Sequence, residues 1–358
     1  MVRADASGLL ARVSPQRGEI VEATSAAPRS RAWLVKAVSA LVALYVVVIL
    51  ALMWWWDYEP PHFDVATTAE ARVAAKNQKL VAGSVTVSTV IGSAETLLDK
   101  RGGYLSNDKL PPGVLMDNVP NWEFGVLVAT RDLSDALRNE FSRSQTQSTE
   151  DDDLKNAAPL FNSPNDRWLL PASERQYRKA IGYMDSYLTR LADNNLQDAQ
   201  FFARADNLSD YLQTVSTRLG SLSQRLSASV GQERIDTDLA GDPNAQQSTP
   251  ATSPRVVKTP WTEIDDNFYE ARGYTWALRE QLEAIRIDFG PVLRDKNAMV
   301  SLDQVIRELH ESQNPVGSPI ILNGTPFGFF ANHSLVMANY ISRANAAVID
   351  LRELLRRG

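Results

Sequence analysis

Few side chains in this sequence are placed to do chemistry. Glu311, in the run Glu311-Ser312-Gln313-Asn314-Pro315, follows an amphipathic segment. A glutamate held there with a raised pKa could act as the general acid of glycosidic bond cleavage. The three histidines, His62, His310 and His333, stand at unrelated spacings, so a metal centre or a Ser-His-Asp site would need long-range convergence. The absence of cysteine excludes disulfides, thiolate metal ligands and a thiol nucleophile together. Glu150, Asp151, Asp152 and Asp153 form an acidic run that could gather a hard cation. Carboxylates are equally favoured at the positive end of a helix dipole, and we read the run as a solvated loop feeding a helix N-terminus. The most idiosyncratic stretch is 101–125, where glycines, prolines and amides fill a connector longer than two packed helices need. Tyr104, Asp117 and Trp122 are its candidates for contact with a partner; the competing reading is a loop folded over the end of a bundle with Trp122 as its plug. We assign no catalytic, cofactor-binding or metal-binding residue and expect no cofactor.

The elements that must position these groups begin with an anchor. Residues 37–56 open on Ala37, carry no charge and close on Trp54, Trp55 and Trp56. A helix rising about 1.5 Å per residue needs about 20 apolar residues to cross a hydrocarbon core of roughly 30 Å. A cleaved signal peptide has a shorter apolar region followed by small residues, whereas Trp-Trp-Trp-Asp-Tyr-Glu-Pro-Pro follows here. Arg3, Arg12, Arg17, Arg29, Arg31 and Lys36 precede the run, and the first cation beyond it is Arg72. Positive charge resists translocation, so the N-terminal side is expected in the cytoplasm and everything from Asp57 onward outside it. The whole chain carries a net charge of −6 and its N-terminal flank +3, which leaves about −9 on the remainder. Such an acidic exported part argues against nucleic acid as a partner.

Beyond the anchor, apolar residues recur at alternating spacings of three and four, the mark of one helical face. Two stripes are long. One is Phe201, Ala205, Leu208, Leu212, Val215, Leu219, Leu222 and Leu226; the other is Ile264, Phe268, Ala271, Thr275, Leu278, Leu282, Ile285 and Phe289. A third, Val73, Leu80, Val87, Ile91, Ala94 and Leu98, is interrupted by Asn77 and Ser84. Others run from Tyr177 to Leu191 and from Ser334 to Leu355, with weaker helices expected at 122–141 and 298–311. No segment alternates with period two over any length. The expected fold is therefore all-α: one transmembrane helix, then an antiparallel bundle of long heptad-patterned helices packed in the manner of coiled coils.

Prolines 243, 250, 254 and 260 fall in a stretch of low hydrophobicity, which predicts a disordered linker at 232–260. The organisation that follows is a cytoplasmic tail at 1–31, an anchor at 32–56, bundle halves at 57–231 and 261–358, and the linker between them. Whether the halves make one bundle or two is open at this level.

Two resemblances bear on function. Glu311-Ser312 resembles the pair that carries the general acid in lysozyme-like lytic transglycosylases, but the glycine-rich stretch and glutamine that follow in that family are absent here. The second covers nearly all of the chain past the anchor. Gly103-Tyr104-Leu105-Ser106-Asn107-Asp108, Pro111-Pro112-Gly113, Trp122-Glu123-Phe124-Gly125-Val126-Leu127 and Ala331-Asn332-His333-Ser334-Leu335 resemble an uncharacterised Gram-negative membrane-protein family, Domain of Unknown Function 2333. This resemblance implies a periplasm-facing inner-membrane protein and supplies no activity. The expected role is a non-enzymatic cell-envelope scaffold or adaptor, bound to the lipid bilayer through Ala37 to Trp56 and to an unidentified envelope protein. The alternatives are a peptidoglycan-cleaving enzyme using Glu311 and a helical ligand sensor.

Overall fold

In this computed structural model the described residues are 29–143, 149–193, 195, 198–234, 255–318 and 320–357. The expected tail at 1–31 lies almost wholly outside them, as do 144–148 of the polar loop and 235–254 of the expected linker. The chain divides into two units, one through Val48 and one from Ile49 onward. Helix α1, Arg29–Trp56, begins in the first. Its segment Trp33–Trp56 has a mean hydropathy of 2.6 and is long and apolar enough to cross a membrane, a property that a signal sequence shares. Its apolar side chains lie open, with Leu41 69% and Val47 61% exposed.

The second unit is a helical bundle. Its helices are α2 (Val65–Ala74), α3 (Ser84–Asp99), α4 (Asn118–Ala136), α5 (Asp152–Phe161), α6 (Ser173–Leu191), α7 (Ala205–Ser227), α8 (Ile264–Asp288), α9 (Gly290–Asp295), α10 (Met299–Glu311) and α11 (His333–Arg356). The stripe at 73–98 is split because the chain turns between α2 and α3, through Asn77 (φ 56°) and Gly83 (φ 90°). A left-handed residue ends a helix, and glycine adopts that conformation without a Cβ penalty. The acidic run does feed a helix: Asp151 caps α5 by accepting from the backbone N–H groups of Asp153 and Leu154.

The two halves share one hydrophobic core, in which Leu97, Leu133 and Leu212 join Leu278, Leu302 and Ile341. Helices α7 and α11 run antiparallel, with Ser216 facing Asn345 and the Ser223 hydroxyl donating to the Ala338 carbonyl. Helices α4 and α8 instead run side by side in the same direction. Asn121 donates to Asp266 near their starts, and the rings of Phe141 and Phe289 meet just beyond their ends. They approach closely because both lack a side chain at the contact. A Cβ on Gly125 would strike the Glu270 carbonyl, and one on Gly273 the Trp122 carbonyl.

Central placement changes what α8 buries. Every member of its expected stripe from Ile264 to Phe289 is buried, and so are Arg272, Tyr274, Trp276, Glu280 and Gln281 from its other faces. At the two ends of the expected linker, β1 (Gln232–Arg234) pairs antiparallel with β2 (Arg255–Val257). Backbone groups pair there without the apolar alternation that marks a half-buried sheet, which is why periodicity did not predict it.

Candidate functional site

The segment just past the anchor runs extended along α8, and three side chains one helical turn apart hold it there. Arg272 makes a two-pronged pair with Glu59, Nε to Oε1 at 2.7 Å and Nη2 to Oε2 at 2.5 Å. Trp276 donates its indole N–H to the Pro60 carbonyl at 3.1 Å. Glu280 meets Nδ1 of His62, whose ring stacks on Trp276 at 5.6 Å between centroids. Residues 272, 276 and 280 fall on one line because four residues advance little more than one turn. Arg272 also donates to the carbonyls of Ser312, Gln313 and Asn314, so its charge closes the C-terminal end of α10, where cations are favoured. This latch therefore ties three pieces of chain together: the exit segment, the central helix and the loop after α10.

A cavity of about 520 Å³ opens beside the latch, walled by Asp57, Glu59 and His62, by Trp122, and by Tyr269 and Arg272. Burial dominates its electrostatics. Desolvation lowers His62 to about 4, with the Arg279 charge adding to it, and raises Glu280 to about 8, with Glu283 adding repulsion. At neutral pH the pair holds one proton between them and no net charge. The Asp57 carboxyl lies above its ordinary range through desolvation, then through repulsion by Glu59 and Asp117. Among the described residues, no three histidine or acidic side chains cluster so as to hold a metal ion.

A second polar device closes the connector after α3. Glu123 is fully buried and accepts from the backbone N–H of Leu105 and of Ser106, both at 2.8 Å, from the Ser106 hydroxyl at 2.5 Å, and from Lys100. Lys100 also donates to the Gly103 carbonyl. One carboxylate thereby replaces the backbone partners that an irregular turn cannot supply for itself.

The partner-contact candidates do not converge. Tyr104 is 5% exposed, and its hydroxyl donates to the Asn165 carbonyl. Trp122 is 1% exposed and packs edge-on against Trp276, the plug arrangement, while also walling the cavity. Asp117 is exposed and caps α4 by accepting from the Asn118 N–H. Neither ring is presented outward in this structure. Glu311 ends α10, accepts from Asn314 at 2.9 Å and borders a smaller cavity of about 190 Å³ whose wall, among the described residues, includes no other carboxylate. His333 accepts at Nδ1 from the Leu322 N–H and opens α11, away from His62.

A family profile described as an uncharacterized protein conserved in bacteria, DUF2333, matches residues 28–358. The chain belongs to the DUF2333 family. No curated protein and no solved structure matches it. The DUF2333 match takes in both polar devices, neither of which sequence reasoning isolated. The available signal was a second line on α8. Arg272, Trp276 and Glu280 repeat every four residues on a helix whose apolar stripe is already complete, and they have no reason to be polar and bulky together unless something lies against them.

Proposed function

We propose that this DUF2333 protein is a single-pass inner-membrane protein with its N-terminus in the cytoplasm. In this reading the helical unit from Asp57 onward is periplasmic and acts as a non-enzymatic scaffold or adaptor of the cell envelope. The observation that carries the reading is the latch. The buried polar side chains beside the anchor, Arg272, Trp276 and Glu280, are all engaged in holding residues 59–62 to the bundle, as a load-transmitting joint requires. The charge asymmetry around residues 37–56 supports the orientation.

A C-terminal alkaline phosphatase fusion should be active and a C-terminal green fluorescent protein fusion dark; the reverse pattern sinks the topology. Full-length protein incubated with peptidoglycan should release no more soluble sugar than its Glu311→Gln variant does. Release that the variant lacks would replace the scaffold by the lytic enzyme. A second reading, a ligand sensor, is favoured by the cavity, since a molecule there would touch Glu59 and His62 of the exit segment directly. Loss of phenotype on deleting residues 1–31 is its expected signature, and an intact phenotype counts against it.

A further inference from the structure

We propose that the end of the bundle from which the anchor emerges is a second membrane-contact surface, which seats apolar loop tips in the headgroup region of a lipid bilayer. The proposal rests on the membrane-anchored reading above. Its observation is a sorting of exposed apolar side chains to one end of the molecule.

The hydrogen bonds and contacts fix that end. The loop between α3 and α4 lies against the foot of the anchor: Arg101 stacks over Trp55 and Tyr58, and Gly102 abuts the Trp56 ring. Leu115 and Met116 share a small cavity with Met53 and Trp54. This loop leaves Leu110, Val114 and Leu115 exposed at 71%, 50% and 57%. The loop before α6 is tied to it, since Asn107 donates to the Arg167 carbonyl and Tyr104 to that of Asn165. It leaves Trp168, Leu169 and Leu170 exposed, Leu170 at 92%. The loop between α10 and α11 is tied to the exit segment through Arg272, and it exposes Phe327, Phe329 and Phe330 at 104%, 98% and 69%. Trp261, 79% exposed, precedes α8 at the same end, where Asn121 and Asp266 join α4 to α8.

The opposite end is marked by Asp288 accepting from the Thr86 N–H, which joins the end of α8 to the start of α3. Past the anchor, the large exposed apolar residues away from the loop end are, among the described residues, Leu80, Ile287, Val300 and Ile349, spread singly over different elements. Scattered single residues are ordinary for a soluble surface; a one-sided concentration is not.

Two features select lipid as the occupant. The apolar tips belong to separate loops, which suits an interface without fixed shape better than a protein with one. They are also continuous with Trp54 and Trp55, side chains at the end of an apolar helix, where aromatic residues favour the headgroup level. Charge does not supply the attraction. Asp57, Glu59, Asp117, Asp265 and Asp266 share this end with Arg101, Lys109 and Arg167, so zwitterionic phosphatidylcholine should suffice.

The chain has no cysteine, so single-cysteine variants of the full-length protein carry one fluorophore each. Leu115→Cys, Leu170→Cys and Phe329→Cys alter exposed positions and leave the core intact. Labelled and reconstituted in phosphatidylcholine vesicles containing a spin-labelled lipid quencher, all three should be quenched severalfold more than Val300→Cys at the far end. Val46→Cys, within α1, reports the anchor itself. Quenching at Val46 without quenching at the three loops overturns this proposal, leaves the anchored reading standing and makes a protein the occupant of the face. No quenching at Val46 overturns both.

Discussion

Two buried glutamates, Glu123 on α4 and Glu280 on α8, are treated in opposite ways. Glu123 has both oxygens occupied, by two backbone N–H groups, a hydroxyl and the Lys100 ammonium. Glu280 has one oxygen against His62 and the other, Oε2, without a hydrogen-bond partner among the described residues. Burial raises the pKa of both, but around Glu123 a lysine and several donors oppose it, whereas no close cation compensates Glu280 fully. The difference teaches what each region is for. A carboxylate paired with a lysine is a fixed staple that sets the path of 100–106 once. A carboxyl sharing one proton with a histidine is a joint whose strength depends on pH, and it holds the segment that leads to the anchor.

The comparison predicts its largest effect at the staple. Glu123→Ala should cost about 3–5 kcal/mol, because it strands a buried ammonium and two N–H groups. Denaturant unfolding of the full chain in detergent checks this, and a loss below about 1 kcal/mol would erase the distinction between a fully compensated charge and an ordinary contact. At the joint the expected effect is pH-dependent. Glu280 titrates near 8 when folded against 4.5 ordinarily, so between those values the folded state holds a proton that the unfolded chain has released. His62 titrates near 4 against 6.5, so between those values the unfolded chain holds the extra proton. The two nearly cancel from 4.5 to 6.5. From about pH 6.5 to 8 Glu280 acts alone, and stability should fall as pH rises, by on the order of 2 kcal/mol. Glu280→Gln should flatten that decline; an unchanged slope would assign the titration to other groups. The smallest effect is expected at Arg178–Asp99, an ion pair between α6 and α3 whose side chains are both more than half exposed. Arg178→Ala should change stability by no more than about 1 kcal/mol, and less in high salt. A larger loss there would mean that water fails to screen this surface as it should.

Much of the fold was legible because helical periodicity is written locally. The stripes at 264–289 and 208–226 are buried as their spacing requires. Of helix α5 the acidic run marks only the N-terminus; its extent is not legible, because Asp152–Phe161 is short and has a proline, Pro159, inside it. The stripe at 73–98 read as one helix, since three-four spacing carries across a turn that Asn77 and Gly83 break only through their backbone angles. The candidate site was much less legible. Tyr104 and Trp122 stand out in the sequence only as members of an odd connector, whose first part, at Leu105 and Ser106, is folded inward on Glu123. The latch joins Glu59 to Arg272 and His62 to Glu280, more than 200 positions apart, and no local pattern links them.

The sequence by itself determined an apolar helix long enough to span a bilayer, the charge difference across it, and a set of amphipathic helices without cross-links. These follow from composition and spacing along the chain. Only the tertiary structure decided that the halves share one core, that α4 and α8 run together through Gly125 and Gly273, and that Arg272, Trp276 and Glu280 grip the exit segment. Those features depend on which faces meet. A helix enclosed on every side must satisfy charges as well as bury hydrocarbon, and its partners come from wherever the chain returns.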